Sequence, residues 1–104
     1  MTIIEILTAA VEQHASDVHL AVGNQPTIRV DGELRPLEKK ILVEADTTAY
    51  AKEMLTEVQF ETLIREGQVD FAYRIENLNV FRVNAFRYSD KIGLACRVIS
   101  EHIP

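Results

Sequence analysis

At 104 residues the chain is one domain's worth of polypeptide, and its net charge of −5 argues against nucleic acid as a partner, since phosphate-backbone binding needs a basic surface. Its 47% hydrophobic and 26% charged fractions are those of an ordinary soluble globular domain, and no apolar run approaches the roughly 20 residues that a membrane helix needs. The single cysteine, Cys96, excludes an internal disulfide, and the opening "TIIEIL" lacks a secretory pattern, so a reducing, cytoplasmic location is expected.

The first element reads as a helix. Apolar side chains at Ile3, Ile4, Ile6, Leu7, Ala10 and Val11 fall at helical spacing over residues 3 to 14. Thr2 with Glu5 has capping-box spacing, which starts the helix almost at the first residue and leaves His14 at its end. The stretch "SDVHLAVGNQPTIRVDGELRPL" then alternates through Val18, Leu20 and Val22, and again through Ile28 and Val30. Turn signals "GNQP" and "DG" divide it into three short strands.

Helical period returns over residues 44 to 66, first with Ala49, Met54 and Leu55, then with Phe60, Leu63 and Ile64. Thr56 and Gln59 form a second capping box inside this span, so two consecutive helices are expected, the second closed by Gly67. From Val69 to Ile99 the pattern alternates once more, through Val69, Phe71, Tyr73 and Ile75, then Phe81, Val83 and Ala85, then Leu94, Cys96 and Val98. The order is helix, three strands, two helices, three strands. This is an α+β domain, a PAS-like antiparallel sheet of about six strands with helices packed on one face.

Strand register turns the polar faces into chemistry. With "YSDK" as the turn between the last two strands, a tight hairpin pairs Phe81 with Val98, Val83 with Cys96 and Ala85 with Leu94. The same register sets Arg82 directly opposite Arg97, with Asn84 beside them, on the face away from the helices. Like charges in opposition are unfavourable. An anion between them, a carboxylate partner such as Asp70, and side chains splayed into water all remain open, and arginine has the geometry for bidentate phosphate recognition. Arg87 falls on the core-facing register.

In "HASDVHL", Asp17 and His19 share a polar strand face while Val18 and Leu20 turn inward. Pairing Leu20 with Ile28 and Val18 with Val30 places His19 beside Arg29 and Asp17 near Asp31. A carboxylate–imidazole pair could serve a general base, but no nucleophile or metal-ligand cluster accompanies it at a recognisable spacing. A structural role is expected, with Ser16 or Asp17 satisfying backbone amides at the helix-to-strand turn, and no metal. The glycines at 23, 32, 67 and 93 are too scattered for a phosphate cradle, and no G-x-x-x-x-G-K-[ST] is present. The chain is therefore expected not to be an enzyme by itself.

"ASDVHL" (15 to 20), "IRVDGELR" (28 to 35), "VDFAY" (69 to 73), "FRVNAF" (81 to 86) and "CRVIS" (96 to 100) occur in the order and spacing of the PilT-type retraction ATPases. On these motifs the chain resembles the amino-terminal, PAS-like domain of that family, which belongs to the wider type II/IV secretion ATPases with the GspE-like proteins. The resemblance implies a domain over residues 1–99, with 100–104 ("EHIP" from 101) beginning the connection to a RecA-like ATPase core. It also implies a non-catalytic role in a cytoplasmic homohexamer that powers type IV pilus retraction and twitching motility, or related secretion, at the inner-membrane machinery. The partners implied are the RecA-like domains of its own and a neighbouring subunit. ATP and Mg would be held by the core, with Arg82 and Arg97, which match the family's motif positions, reaching toward the nucleotide phosphates in the manner of arginine fingers. Ser16, Asp17, His19, Asp31, Gly32 and Asn84 would be signature or structural positions. The alternative is a PAS-type small-ligand sensor or protein-interaction module, and a hydrolase using Asp17 and His19 is a distant third.

Overall fold

Thr2 opens the first helix as its sequence dictates. Its hydroxyl accepts from the Glu5 amide at 3.1 Å, and the Glu5 carboxylate accepts from the Thr2 amide at 2.7 Å, so α1 runs Ile3–Glu12. It ends in a Schellman motif. His14 adopts the left-handed conformation at φ 61°, its amide reaches the Val11 carbonyl at 3.0 Å, and the Ala15 amide reaches the Ala10 carbonyl at 2.9 Å. His14 thus turns the chain out of the helix and into the sheet.

A computed structural model describes residues 1–99, and the expected connecting segment 100–104 lies outside the described residues. After α1 come β1 (Asp17–Leu20), β2 (Thr27–Val30) and β3 (Glu33–Pro36), then α2 (Glu44–Met54) and α3 (Glu57–Glu66), then β4 (Gln68–Ile75), β5 (Asn79–Tyr88) and β6 (Lys91–Ile99). The second capping box, Thr56 with Gln59, opens α3, and Gly67 closes it at φ 90°, a conformation that only glycine adopts without cost. The strands form one antiparallel sheet in the order β3-β2-β1-β6-β5-β4. The first and last strands meet at its centre.

One face of the sheet is the core. Val18, Leu20, Ile28, Phe81, Val83, Leu94 and Cys96 are nearly or fully buried there with Ile3, Ile6, Leu7 and Ala10 of α1, Ala51 of α2 and Leu63 of α3. Each of the Val, Leu, Ile and Phe side chains among them contributes about 1.5–3 kcal/mol by leaving water, which fixes which face the helices cover. The α+β, PAS-like architecture with helices on one face is as the alternation predicts.

The β5–β6 register also agrees, with Phe81 opposite Val98, Val83 opposite Cys96 and Arg82 opposite Arg97. Arg87 keeps the core-side alternation but is exposed, near the hairpin end where Tyr88 is also exposed.

The β1–β2 register differs from the expected one by two residues. Val18 pairs with Ile28, Asp17 with Arg29 and His19 with Thr27, so His19 does not face Arg29 and Asp17 does not lie across from Asp31. A two-residue slip leaves every side chain on its original face, so apolar alternation cannot distinguish the two pairings. Charge can. The observed register opposes Asp17 to a cation, whereas the expected one brings it toward a second carboxylate. The connection between the two strands, residues 21–26, is pinned by the Gly23 amide on the Leu42 carbonyl and the Leu42 amide on the Asn24 carbonyl, both at 2.9 Å.

Candidate functional site on the open sheet face

The face away from the helices carries a row of side chains across all six strands. Register sets Leu34, Arg29, Asp17, Arg97, Arg82 and Ala72 side by side, from β3 to β4. The next row holds Pro36, Thr27, His19, Ala95, Asn84 and Asp70. Asp17, His19, Asp70, Arg82, Asn84 and Arg97 border a shallow depression of about 300 Å³ where the two rows meet.

Asp17 is the hinge of this charge pattern. Its Oδ1 accepts from Arg97 Nε at 3.4 Å, its Oδ2 accepts from the Ser16 hydroxyl at 2.7 Å, and Arg29 Nε stands 3.9 Å from Oδ2. Partial burial works to raise its pKa, but the Ser16 and Arg97 hydrogen bonds and the charges of Arg97 and His19 outweigh it and hold the carboxyl below its usual range. Arg29 is itself fixed, because its Nη1 donates to the Gly32 carbonyl at 3.0 Å. Asp31 (φ 51°) and Gly32 (φ 82°) form the tight turn between β2 and β3, and there they shape the hairpin and hold Arg29.

The carboxylate that answers the arginine pair is therefore Asp17. Asp70 is engaged elsewhere, accepting from Asn84 Nδ2 at 2.8 Å. Arg82 makes no hydrogen bond or ion pair through its side chain among the described residues, and it is exposed. The row thus holds three guanidinium groups and one carboxylate, which pairs with Arg29 and Arg97 and leaves an excess of positive charge at the Arg82–Arg97 pair. That surplus suits an oxyanion brought to the face from outside.

Structure brings together Asp17, His19, Arg82, Asn84 and Arg97 from the sequence reading, keeps Ser16 as a support for Asp17, and sets Asp31 and Gly32 apart. The expected register put Arg29 on this face beside His19, whereas it stands in the row of Asp17 and Arg97. The avoided Asp17–Asp31 opposition was the available signal, but β1's place between β2 and β6 was needed to use it.

For a nucleotide with Mg, the donor set fits a contact to phosphate and not a complete site. Gly23, Gly32 and Gly67 lie in separate turns, and among the described residues no group of three or more His, Cys, Asp or Glu side chains could hold a metal. Also among the described residues, no helix is long and apolar enough to cross a membrane.

Fold and face define a PAS-like α+β domain that presents paired arginines on its uncovered sheet surface. No protein-family model matches the chain. It is 31% identical over 103 residues to the type IV pilus retraction ATPase PilT of Pseudomonas aeruginosa, across 99% of this chain and 30% of that protein. To the type IV pilus ATPase PilU of the same organism it is 27% identical over 100 residues, across 96% of this chain and 26% of that protein. A crystal structure of the pilus retraction motor PilT with bound ADP superposes at a TM-score of 0.91 and 33% identity, covering 100% of this chain and 31% of that chain. Over its whole length the chain is similar to the amino-terminal domain of the PilT-type pilus ATPases. It spans less than a third of the length of these relatives.

Proposed function

We propose that the chain is the non-catalytic amino-terminal domain of a larger hexameric ATPase that powers type IV pilus retraction or related secretion. Residues 1–99 would be the domain, and 100–104 would lead into a RecA-like core that holds ATP and Mg. The domain would pack against the cores of its own and a neighbouring subunit, at the cytoplasmic side of the inner-membrane machinery.

In this reading Arg82 and Arg97 carry the coupling. Held opposite each other on a stiff β-hairpin, they would meet the phosphates when the domain swings toward a core and withdraw when it swings away. The observation that supports the reading most is the surplus of positive charge on this face, with Arg82 lacking any acidic partner among the described residues. Desolvating an arginine against phosphate is favourable where no internal carboxylate must first be displaced.

The test is ATP turnover by the full-length ATPase. Arg82→Ala and Arg97→Ala are expected to slow it by a factor on the order of 10³, the worth of an arginine that stabilises transition-state charge. Lysine at either position should restore little, since a bidentate contact needs the guanidinium fork. Turnover at the wild-type rate in both alanine variants overturns the proposal.

A further inference from the structure

We infer that Asp17 is the positioning residue of Arg97: it grips the guanidinium through Nε and leaves the terminal N–H groups available to an incoming phosphate. This rests on the function proposed above and names the part that orients one of its two arginines.

Geometry carries the argument. Arg97 is 75% exposed, and its one hydrogen bond or ion pair among the described residues is Nε to Asp17 Oδ1 at 3.4 Å. A carboxylate that took the two terminal nitrogens would occupy the edge a phosphate needs. One that takes Nε alone leaves that edge open. The grip is supported from behind, because Asp17 Oδ2 accepts from the Ser16 hydroxyl at 2.7 Å and faces Arg29 Nε at 3.9 Å, with Arg29 tied to the Gly32 carbonyl. If Arg97 is drawn toward a phosphate, the Asp17 charge keeps a partner. Without Asp17, Arg97 would face Arg82 across the hairpin and Arg29 beyond β1, and like-charge repulsion would spread the three side chains apart.

Asparagine separates position from charge. In Asp17→Asn the amide oxygen can still accept from Arg97 Nε, while the amide nitrogen can donate to the Ser16 hydroxyl. Alanine removes both contacts.

The first measurement uses the 104-residue chain: side-chain ¹⁵N NMR of the Arg97 Nε–H. Slow solvent exchange is expected in the wild type and in Asp17→Asn, and fast exchange in Asp17→Ala. Equal exchange in wild type and Asp17→Ala overturns the inference. The second uses the full-length ATPase. Asp17→Ala should lower kcat between tenfold and about 10²-fold at nearly unchanged KM for ATP, the scale of a misplaced reacting group, and Asp17→Asn should recover most of the loss. If Arg97→Ala slows turnover but Asp17→Ala does not, the positioning role falls and the proposed function stands. If Arg97→Ala itself costs nothing, the positioning role falls together with the phosphate contact proposed for Arg97, while the Arg82→Ala rate still decides the proposed function.

Discussion

Gly93 lies directly across the β5–β6 hairpin from Phe86, and a Cβ placed on Gly93 would come within 2.5 Å of the Phe86 ring. The ring also stands 5.8 Å from the ring of Tyr88, whose hydroxyl accepts from the Val22 amide at 3.0 Å. One missing methyl therefore seats an aromatic pair that ties the hairpin to the loop after β1. Gly93→Ala must displace Phe86, and the expected cost is about 1–3 kcal/mol, the usual penalty for overpacking. Gly93 has no positive φ, so alanine there carries no backbone strain. In a Phe86→Ala background most of that cost should disappear, leaving only the small shift that Tyr88 Cε1, 3.1 Å from the same Cβ, must make. A double-mutant cycle on thermal melts measures this, and a Gly93→Ala cost that persists without the ring would refute the packing argument.

The hairpin also shows what sequence can and cannot fix. Its register was legible because "YSDK" leaves a short turn and every apolar residue of both strands then finds an apolar partner. Register then dictated the Arg82–Arg97 opposition without further information. The β1–β2 pairing was not legible in the same way, because a slip of two leaves Val18, Leu20, Ile28 and Val30 on the core face in either register. Asp17's contact with Arg97 was still less accessible. It depends on β1 pairing with β6, which lies some eighty residues away in the chain, and no local pattern encodes that neighbour. Helix boundaries, by contrast, were written in single residues: Thr2, Thr56 and Gly67 each act within one turn.

Acid should weaken the fold partly through Asp17. Its folded pKa is depressed, so the stability it contributes is present above the unfolded value of about 3.9 and is lost as pH falls through the folded value. Glu5, held by the Thr2 amide, and Asp46, held by the Val43 amide and Lys40, are depressed as well and act in the same direction. Asp17→Asn should therefore flatten part of the acid limb of the stability–pH curve and leave the rest. Denaturant melts between pH 5 and pH 2 provide the comparison, and parallel curves for the two proteins would count against an ionised, partnered Asp17.

Cys96 should be chemically silent in the native chain. It is 1% exposed among Val18, Val83 and the other core residues, and burial pushes its thiol up to about 12. Little thiolate exists at pH 8, and a reagent could not reach it. Labelling by a maleimide should track global unfolding, with rates that rise only in denaturant. The raised pKa also contributes stability that is complete below the unfolded thiol value of about 8.5 and declines as pH rises toward 12. Rapid, stoichiometric labelling without denaturant would place Cys96 outside the core.

Arg82 and Arg97 should differ in what they do for the isolated domain, although they face each other. Arg97 holds Asp17, so Arg97→Ala removes an exposed ion pair worth about 0.2–1 kcal/mol and should raise the Asp17 pKa toward its ordinary value. Arg82 has no acidic partner among the described residues and opposes a like charge, so Arg82→Ala should be neutral within about 0.5 kcal/mol or slightly stabilising. It should leave the Asp17 titration nearly unchanged. Chemical denaturation of the two variants, together with the Asp17 carboxyl titration by NMR, reads both effects. Equal destabilisation, or equal shifts at Asp17, would mean that the two arginines share the carboxylate, and Arg82 would then not be an uncompensated cation of this face.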